Sequence, residues 1–251
     1  MIFHFTIFFW TVIFFLGLEG IAMNPVVPSW GWYFFSTTPL LIISLLASKK
    51  VTGQYIGVFL PSVLALVIPL LLLLIDHFTQ RQIFIVLSAG MYYFSLLGMY
   101  RLHHAREDKT AKSFLYAAAM AAIFFFYSGT YGFYLNFTFP LWGMMFLYFI
   151  GTSFISYETF VGVERVGKAR MLLYSVILGF IMGEGAWVMS FWPFGYLTAG
   201  VIALLFFFLL WDIALDGLRE KLSLRKTVWR FFFFLVLLTL LLLSTPWRIL
   251  V

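Results

Sequence analysis

Apolar runs of about twenty residues, the length that crosses a bilayer as a helix, recur nine times along this 251-residue chain. They fall at residues 2–23, 30–47, 55–75, 83–100, 112–130, 133–157, 171–189, 195–211 and 229–244. The runs are continuous and show no alternation of apolar and polar positions, so they do not read as strands of a barrel. In lipid each backbone polar group must be satisfied within the element, and a helix does this. The expected fold is all-α: a polytopic integral membrane bundle of about nine transmembrane helices with short loops, forming one transmembrane domain over residues 1–251. Composition agrees. Hydrophobic residues make up 63% of the chain and charged ones 10%, against about 25% charged in a soluble domain. No soluble fold of this length could hide that much apolar surface.

The basic residues give an orientation. Fourteen of the sixteen Lys and Arg residues lie in the connections after spans two, four, six and eight, leaving Arg81 and Arg248 on the other side. Lys and Arg hold loops in the cytoplasm. The expected topology is multi-pass in a plasma or inner membrane, with the N-terminus cytoplasmic and the C-terminus exterior. The formal charge of +6 is then explained by loop retention, and nucleic acid is not an expected partner. Expected partners are the lipid bilayer and other membrane subunits. Residues 1–18 lack a basic leader region and a small-residue cleavage site, so they read as a retained first span.

Several chemistries are excluded by residue type. The chain has no cysteine, which removes disulfides, thiolate metal sites and cysteine nucleophiles. No Gly-x-Ser-x-Gly, His-Glu-x-x-His, phosphate-binding loop or dinucleotide fingerprint occurs. His103 and His104, beside Glu107 and Asp108, have no metal-ligand spacing and read as part of a solvated loop. No cofactor and no metal is expected, and no catalytic residue is assigned.

An ionisable residue inside a span is costly unless paired or neutralised, which makes it a candidate for function. Two stand out, Glu19 and Glu184. Each lies about 5–8 Å inside the outer edge at about 1.5 Å per residue. Asn24, Tyr127, Ser128, Tyr131, Asn136, Trp187 and Ser190 lie near the same level, and Asp76, His77 and Arg81 sit on the same side. One reading is an exterior-facing polar cavity around both carboxylates, able to bind a cation, a proton or a polar headgroup. The plain alternative is that each glutamate merely ties helices together.

The two glutamates share a context. Glu19-Gly20 and Glu184-Gly185 are each followed nine residues after the glutamate by a proline, Pro28 and Pro193, and then by Gly and an aromatic. Tyr131-Gly132 leading to Pro140 is a weaker copy. These parallel hairpins suggest an internal repeat. Gly179-x-x-x-Gly183 fits close helix packing.

Residues 212–226 carry Leu215, Leu218 and Leu222 at helical spacing from Trp211 just before them, with charges at other angles. This reads as an interfacial amphipathic helix, in which Arg219, Lys221, Arg225, Lys226 and Arg230 face anionic lipid or a partner; a plain extension of span eight is the alternative. Asp212-x-x-x-Asp216-Gly217-x-Arg219 resembles the aspartate motif of CDP-alcohol phosphotransferases only in part. Its aspartates are one residue too far apart and its downstream partners are missing, so no such activity is carried over. The passage from Glu184-Gly185-Ala186-Trp187 to Phe191-Trp192-Pro193 looks like small polytopic bacterial membrane proteins over about 30 residues. That resemblance implies a membrane fold and no activity.

Three functions fit these residues. The first is a transporter-like or accessory membrane subunit with an exterior polar cavity. The second is a membrane-embedded enzyme acting on lipid or lipid-linked glycan, with Glu19 or Glu184 as general base. The third is a purely structural subunit.

Overall fold

Helices occupy the places where the apolar runs lie. The computed structural model describes residues 2–23, 30–52, 59–105, 107–164 and 166–245. Among these it has nine helices and no strand. They are α1 (Ile2–Met23), α2 (Trp30–Thr52), α3 (Phe59–Leu72), α4 (Phe78–His104), α5 (Lys109–Asn136), α6 (Leu141–Val163), α7 (Lys168–Met189), α8 (Tyr196–Leu218) and α9 (Leu224–Ser244). Seven of them are long and apolar enough to cross a membrane. The other two are shorter or more polar among the described residues. α3 has 14 residues, and α2 ends in a polar turn with Lys49 and Lys50.

The helices group into two compact units, residues 1–126 and 127–251, and the division falls within α5. In unit 1, α1, α2, α3 and α4 pack on one another. Leu18, Leu64, Ile68, Ile85 and Leu96 are fully buried there. Tyr92 stacks on Phe14 with ring centroids 4.0 Å apart, joining α4 to α1.

In unit 2 the closest pairing is α6 with α7, and glycine makes it possible. A Cβ at Gly179 would fall on the Ser153 hydroxyl and 2.6 Å from the Phe149 carbonyl oxygen; one at Gly183 would lie 3.1 Å from the Met145 carbonyl oxygen. The Gly179/Gly183 pair therefore does pack a helix, with α6 as its partner. α8 seats on α7, and α9 on α8. No residue of α9 is buried. Trp229, Phe231, Phe232, Phe233, Leu240 and Leu243 are all exposed, an apolar surface suited to lipid.

Three boundaries differ from expectation for identifiable reasons. α5 runs on through Tyr131 and Gly132 to Asn136, where a break was expected. Gly132 is tolerated inside the helix, and the break comes where Pro140 takes the N-cap position of α6. α4 extends to His104, so His103 and His104 belong to its last turn rather than to a loop. There basic side chains complement the helix dipole.

The third difference concerns residues 212–226, which do not form a separate interfacial helix. Their first part completes α8 and their last part opens α9. The chain turns at Glu220, whose φ is 55°. Lys221 N–H donates to the Asp216 carbonyl (2.9 Å) and Glu220 N–H to that of Gly217 (3.2 Å). This is the usual left-handed helix stop, made here with glutamate where glycine is the unstrained choice. What Glu220 contributes in return is a carboxylate 2.6 Å from Arg170.

At the α4–α5 turn, Asp108 accepts from the N–H groups of Thr110 (2.9 Å) and Ala111 (3.2 Å), and so caps α5. Although desolvation pushes the other way, these N–H donors and the adjacent Arg101 hold its carboxyl below the usual value. A depressed carboxylate contributes stability above its unfolded pKa and loses it as pH falls.

Candidate functional site

The polar groups at the expected outer ends of the spans are best described unit by unit. In unit 1, Glu19 lies four residues before the end of α1 and is half-buried. Gln82, in the second turn of α4, donates through Nε2 to its Oε2 at 3.0 Å. Arg81 beside it reaches two carbonyls. Its Nη1 donates to Ala22 in the last turn of α1 (3.1 Å), while Nε and Nη2 donate to Ile75 (3.1 and 2.8 Å). The last carbonyls of a helix have no partner within it, and a guanidinium beside them both bonds them and complements the dipole. Arg81 is thus accounted for as a clamp between α1, the α3–α4 turn and α4. Asp76 and His77 are exposed in that turn.

In unit 2, Glu184 lies five residues before the end of α7. Its position relative to the helix end matches that of Glu19 to within one residue, but its surroundings do not. Glu184 is exposed and has no hydrogen-bond or ion-pair partner among the described residues. Trp187, also exposed, meets Phe191 edge-to-face at 5.4 Å, and Ser190 donates to the Trp187 carbonyl at 2.7 Å. Tyr131 is buried and donates to the Met189 carbonyl at 3.1 Å, closing the end of α7. Asn136 turns back onto its own helix, donating to the Gly132 carbonyl at 2.8 Å. Asn24 and Pro28 lie outside the described residues, so the structural comparison of the repeat rests on Glu19-Gly20 and Glu184-Gly185.

Deeper in unit 2 is a fully buried hydroxyl network. Tyr127 and Thr152 share a 2.6 Å hydrogen bond, and Tyr148 donates to the Tyr127 carbonyl at 3.0 Å. The two tyrosine rings stack at 4.4 Å. Ser128 sits directly over Gly200 of α8, where a Cβ would overlap its hydroxyl. These bonds join elements of one unit and leave the tyrosines satisfied, which reads as packing.

The basic end of unit 2 is an ion-pair cluster. Arg219 bonds Glu164 through Nη2 (2.5 Å) and Nε (3.2 Å). Arg230 of α9 bonds two aspartates one turn apart on α8, Asp212 at 2.5 Å and Asp216 at 2.6 Å. Of the five basic residues expected at this interface, Arg219 and Arg230 are therefore consumed by acidic neighbours. Lys221, Arg225 and Lys226 are exposed and have no such partner among the described residues. Leu222, Leu224, Val228 and Trp229 are exposed beside them. Among the described residues no three His, Asp or Glu side chains gather as a metal site.

Sequence reading missed the Gln82–Glu19 bond and the double aspartate on Arg230. Spacing did carry a signal for the second, since Asp212 and Asp216 stand four apart on one helix face. Gln82 had none, being one amide near a helix start. Among protein families, the model of the one described as a protein of unknown function (DUF5656) matches the chain over residues 36–245. No curated protein and no solved structure matches it.

Proposed function

The chain belongs to the DUF5656 family, and we propose that it works as a non-enzymatic multi-pass membrane component, transporter-like or an accessory subunit, that meets a positively charged ligand or partner through Glu184. The observation behind this reading is the contrast between two carboxylates at one helical position. Glu19 is hydrogen-bonded by Gln82, whereas Glu184 is exposed near the end of a membrane-length helix without a partner among the described residues. An unpaired carboxylate at such a place calls for a proton, a cation or a basic group from elsewhere. Trp187 beside it provides an amphipathic ring of the kind that sits at membrane interfaces.

The basic-residue asymmetry supports a cytoplasmic N-terminus and an exterior C-terminus, with Glu184 toward the exterior and Lys221, Arg225 and Lys226 toward anionic lipid of the inner leaflet. Because the chain has no cysteine, single-cysteine variants report this directly. In intact cells Lys109→Cys and Lys168→Cys are expected to stay unlabelled by an impermeant maleimide, and Asp76→Cys and Thr138→Cys to be labelled. The reverse pattern would invert the topology.

The carboxylate reading is tested with an apolar carbodiimide, which modifies protonated carboxyls within a membrane. The purified protein in lipid nanodiscs should carry the label on Glu184, and Glu184→Gln should lose it. Protection by sodium would identify a cation as the ligand. Protection seen only in native membranes would identify a partner subunit. A chain labelled at Glu19 but never at Glu184 would defeat the proposal. Glu184→Leu should melt within about 1 °C of the parent, because an exposed residue away from caps and cores shifts stability by under about 0.5 kcal/mol. Glu19→Leu should melt lower, since it strands the Gln82 amide.

A further inference from the structure

Glu184 interrupts an otherwise apolar face of α7. Leu173, Ile177, Phe180, Trp187 and Val188 stand at helical spacings from it, so they lie on its side of the helix, and all are exposed. α7 has 22 residues, which makes it about 33 Å long against a hydrocarbon core of about 30 Å. Set across a bilayer, Glu184 then lies about 6 Å inside the apolar core, among side chains suited to lipid.

No described cation of unit 2 is near it. Lys168 and Arg170 open α7, about 24 and 21 Å away along the helix at about 1.5 Å per residue. Arg170 pairs with Glu220. That contact puts the α8–α9 turn, with Arg219, Lys221, Arg225, Lys226 and Arg230, at the same far end. The positive charge that Glu184 calls for therefore comes from outside these helices.

Aromatic rings flank the carboxylate along the helix. Phe180 is one turn before Glu184 and Trp187 nearly one turn after it. Phe149 of α6 steadies the Phe180 ring edge-to-face at 4.9 Å, and Phe191 meets Trp187 in the same way at 5.4 Å. An edge-to-face contact covers at most one face of a ring. Both residues remain exposed, so each has a face left for a ligand. Such faces attract cations, and those of tryptophan do so best.

We propose that Glu184, Phe180 and Trp187 bind a lipophilic organic cation of the quaternary ammonium or phosphonium kind, which reaches α7 through the bilayer. This rests on Glu184 being the carboxylate that meets a positive charge, and adds the class of ligand. A small inorganic cation gives up its water only to a shell of oxygens. Glu184 offers one carboxylate, and among the described residues no three His, Asp or Glu side chains gather. The ammonium of a lipid headgroup belongs at the polar surface, above this level. A cation with apolar substituents settles at the hydrocarbon boundary instead. There its charge meets the carboxylate, and its substituents meet Phe180, Trp187 and Ile177. Having no N–H groups, it needs no acceptor beyond Glu184.

Binding of radiolabelled tetraphenylphosphonium to the intact protein in nanodiscs, counted over empty nanodiscs, tests this. One saturable site per chain is expected. Glu184→Gln should abolish it, and Glu19→Gln, in the other unit, should keep it. Trp187→Leu should weaken it about tenfold, the scale of a desolvated cation–π contact, and Trp187→Phe should keep most of the affinity. No binding above empty nanodiscs, equal binding by Glu184→Gln, or unchanged affinity in Trp187→Leu would each overturn the proposal. Carbodiimide labelling of the same sample tells this failure from that of the Glu184 reading. Glu184 labelled without protection by tetraphenylphosphonium overturns the organic cation alone, whereas Glu184 left unlabelled removes both.

Discussion

Gly179→Leu is expected to give no folded, monodisperse protein, and Gly179→Ala to lower the melting temperature by several degrees. Even the single methyl of alanine would fall on the Ser153 hydroxyl and 2.6 Å from the Phe149 carbonyl oxygen. The backbone oxygen cannot turn aside as a flexible side chain could, so α6 and α7 must separate. Overpacking of this kind costs about 1–3 kcal/mol, sometimes more. In a membrane the loss is not offset elsewhere, because packing between close backbones is itself what holds helices together. Gly183→Ala, whose Cβ would stand 3.1 Å from the Met145 carbonyl oxygen, should cost less. Gly90→Ala is the control, with nothing within 4 Å of the added methyl. Thermal unfolding in detergent ranks the three alanine variants. Equal melting temperatures for Gly179→Ala and Gly90→Ala would show that the α6–α7 contact is not as close as described.

The second large effect is expected at Arg230. Within unit 2, α9 packs on α8 and buries none of its residues, so its attachment depends heavily on the guanidinium that bridges Asp212 and Asp216. Arg230→Met keeps the stem and removes the charge, leaving two carboxylates one turn apart with no cation between them. Breaking a buried pair costs about 3–5 kcal/mol. Because these groups keep 15–34% of their exposure, about 2 kcal/mol is the better figure once solvent screening is allowed for. Arg225→Met, at an exposed position without an ion-pair partner among the described residues, should be nearly silent. A melting temperature for Arg230→Met no lower than that of Arg225→Met would remove the clamp from the account. Restoring most of the stability with the double variant Arg230→Met/Asp216→Asn would support it, since the damage is then relieved by removing a stranded charge.

Legibility differed between the fold and the candidate site. Nine apolar runs led to helices at nine places, because in lipid the apolar length and the self-satisfied backbone are local requirements. Boundaries were less legible. Tyr131-Gly132 looks like a span end by residue type, yet α5 passes through it, because helix continuation depends on whether the next residues can bond back, and Pro140 is the first that cannot. Residues 212–226 have the periodicity of a surface helix, yet the chain stops at Leu218 and turns at Glu220. Periodicity is unchanged by a turn inserted between two helices, so it could not reveal the break.

The sequence by itself determined the class of this protein: an all-helical chain built on recurring apolar runs of membrane-spanning length, with its basic residues gathered in alternate connections. It also marked Glu19 and Glu184 as a matched pair, since an acid inside an apolar run is visible without any neighbour. Tertiary structure alone decided what each acid touches. Glu19 meets Gln82 from a helix 63 positions along the chain, and Glu184 meets no described residue. Partnership between side chains is a matter of three-dimensional distance, which linear spacing encodes only within one helix.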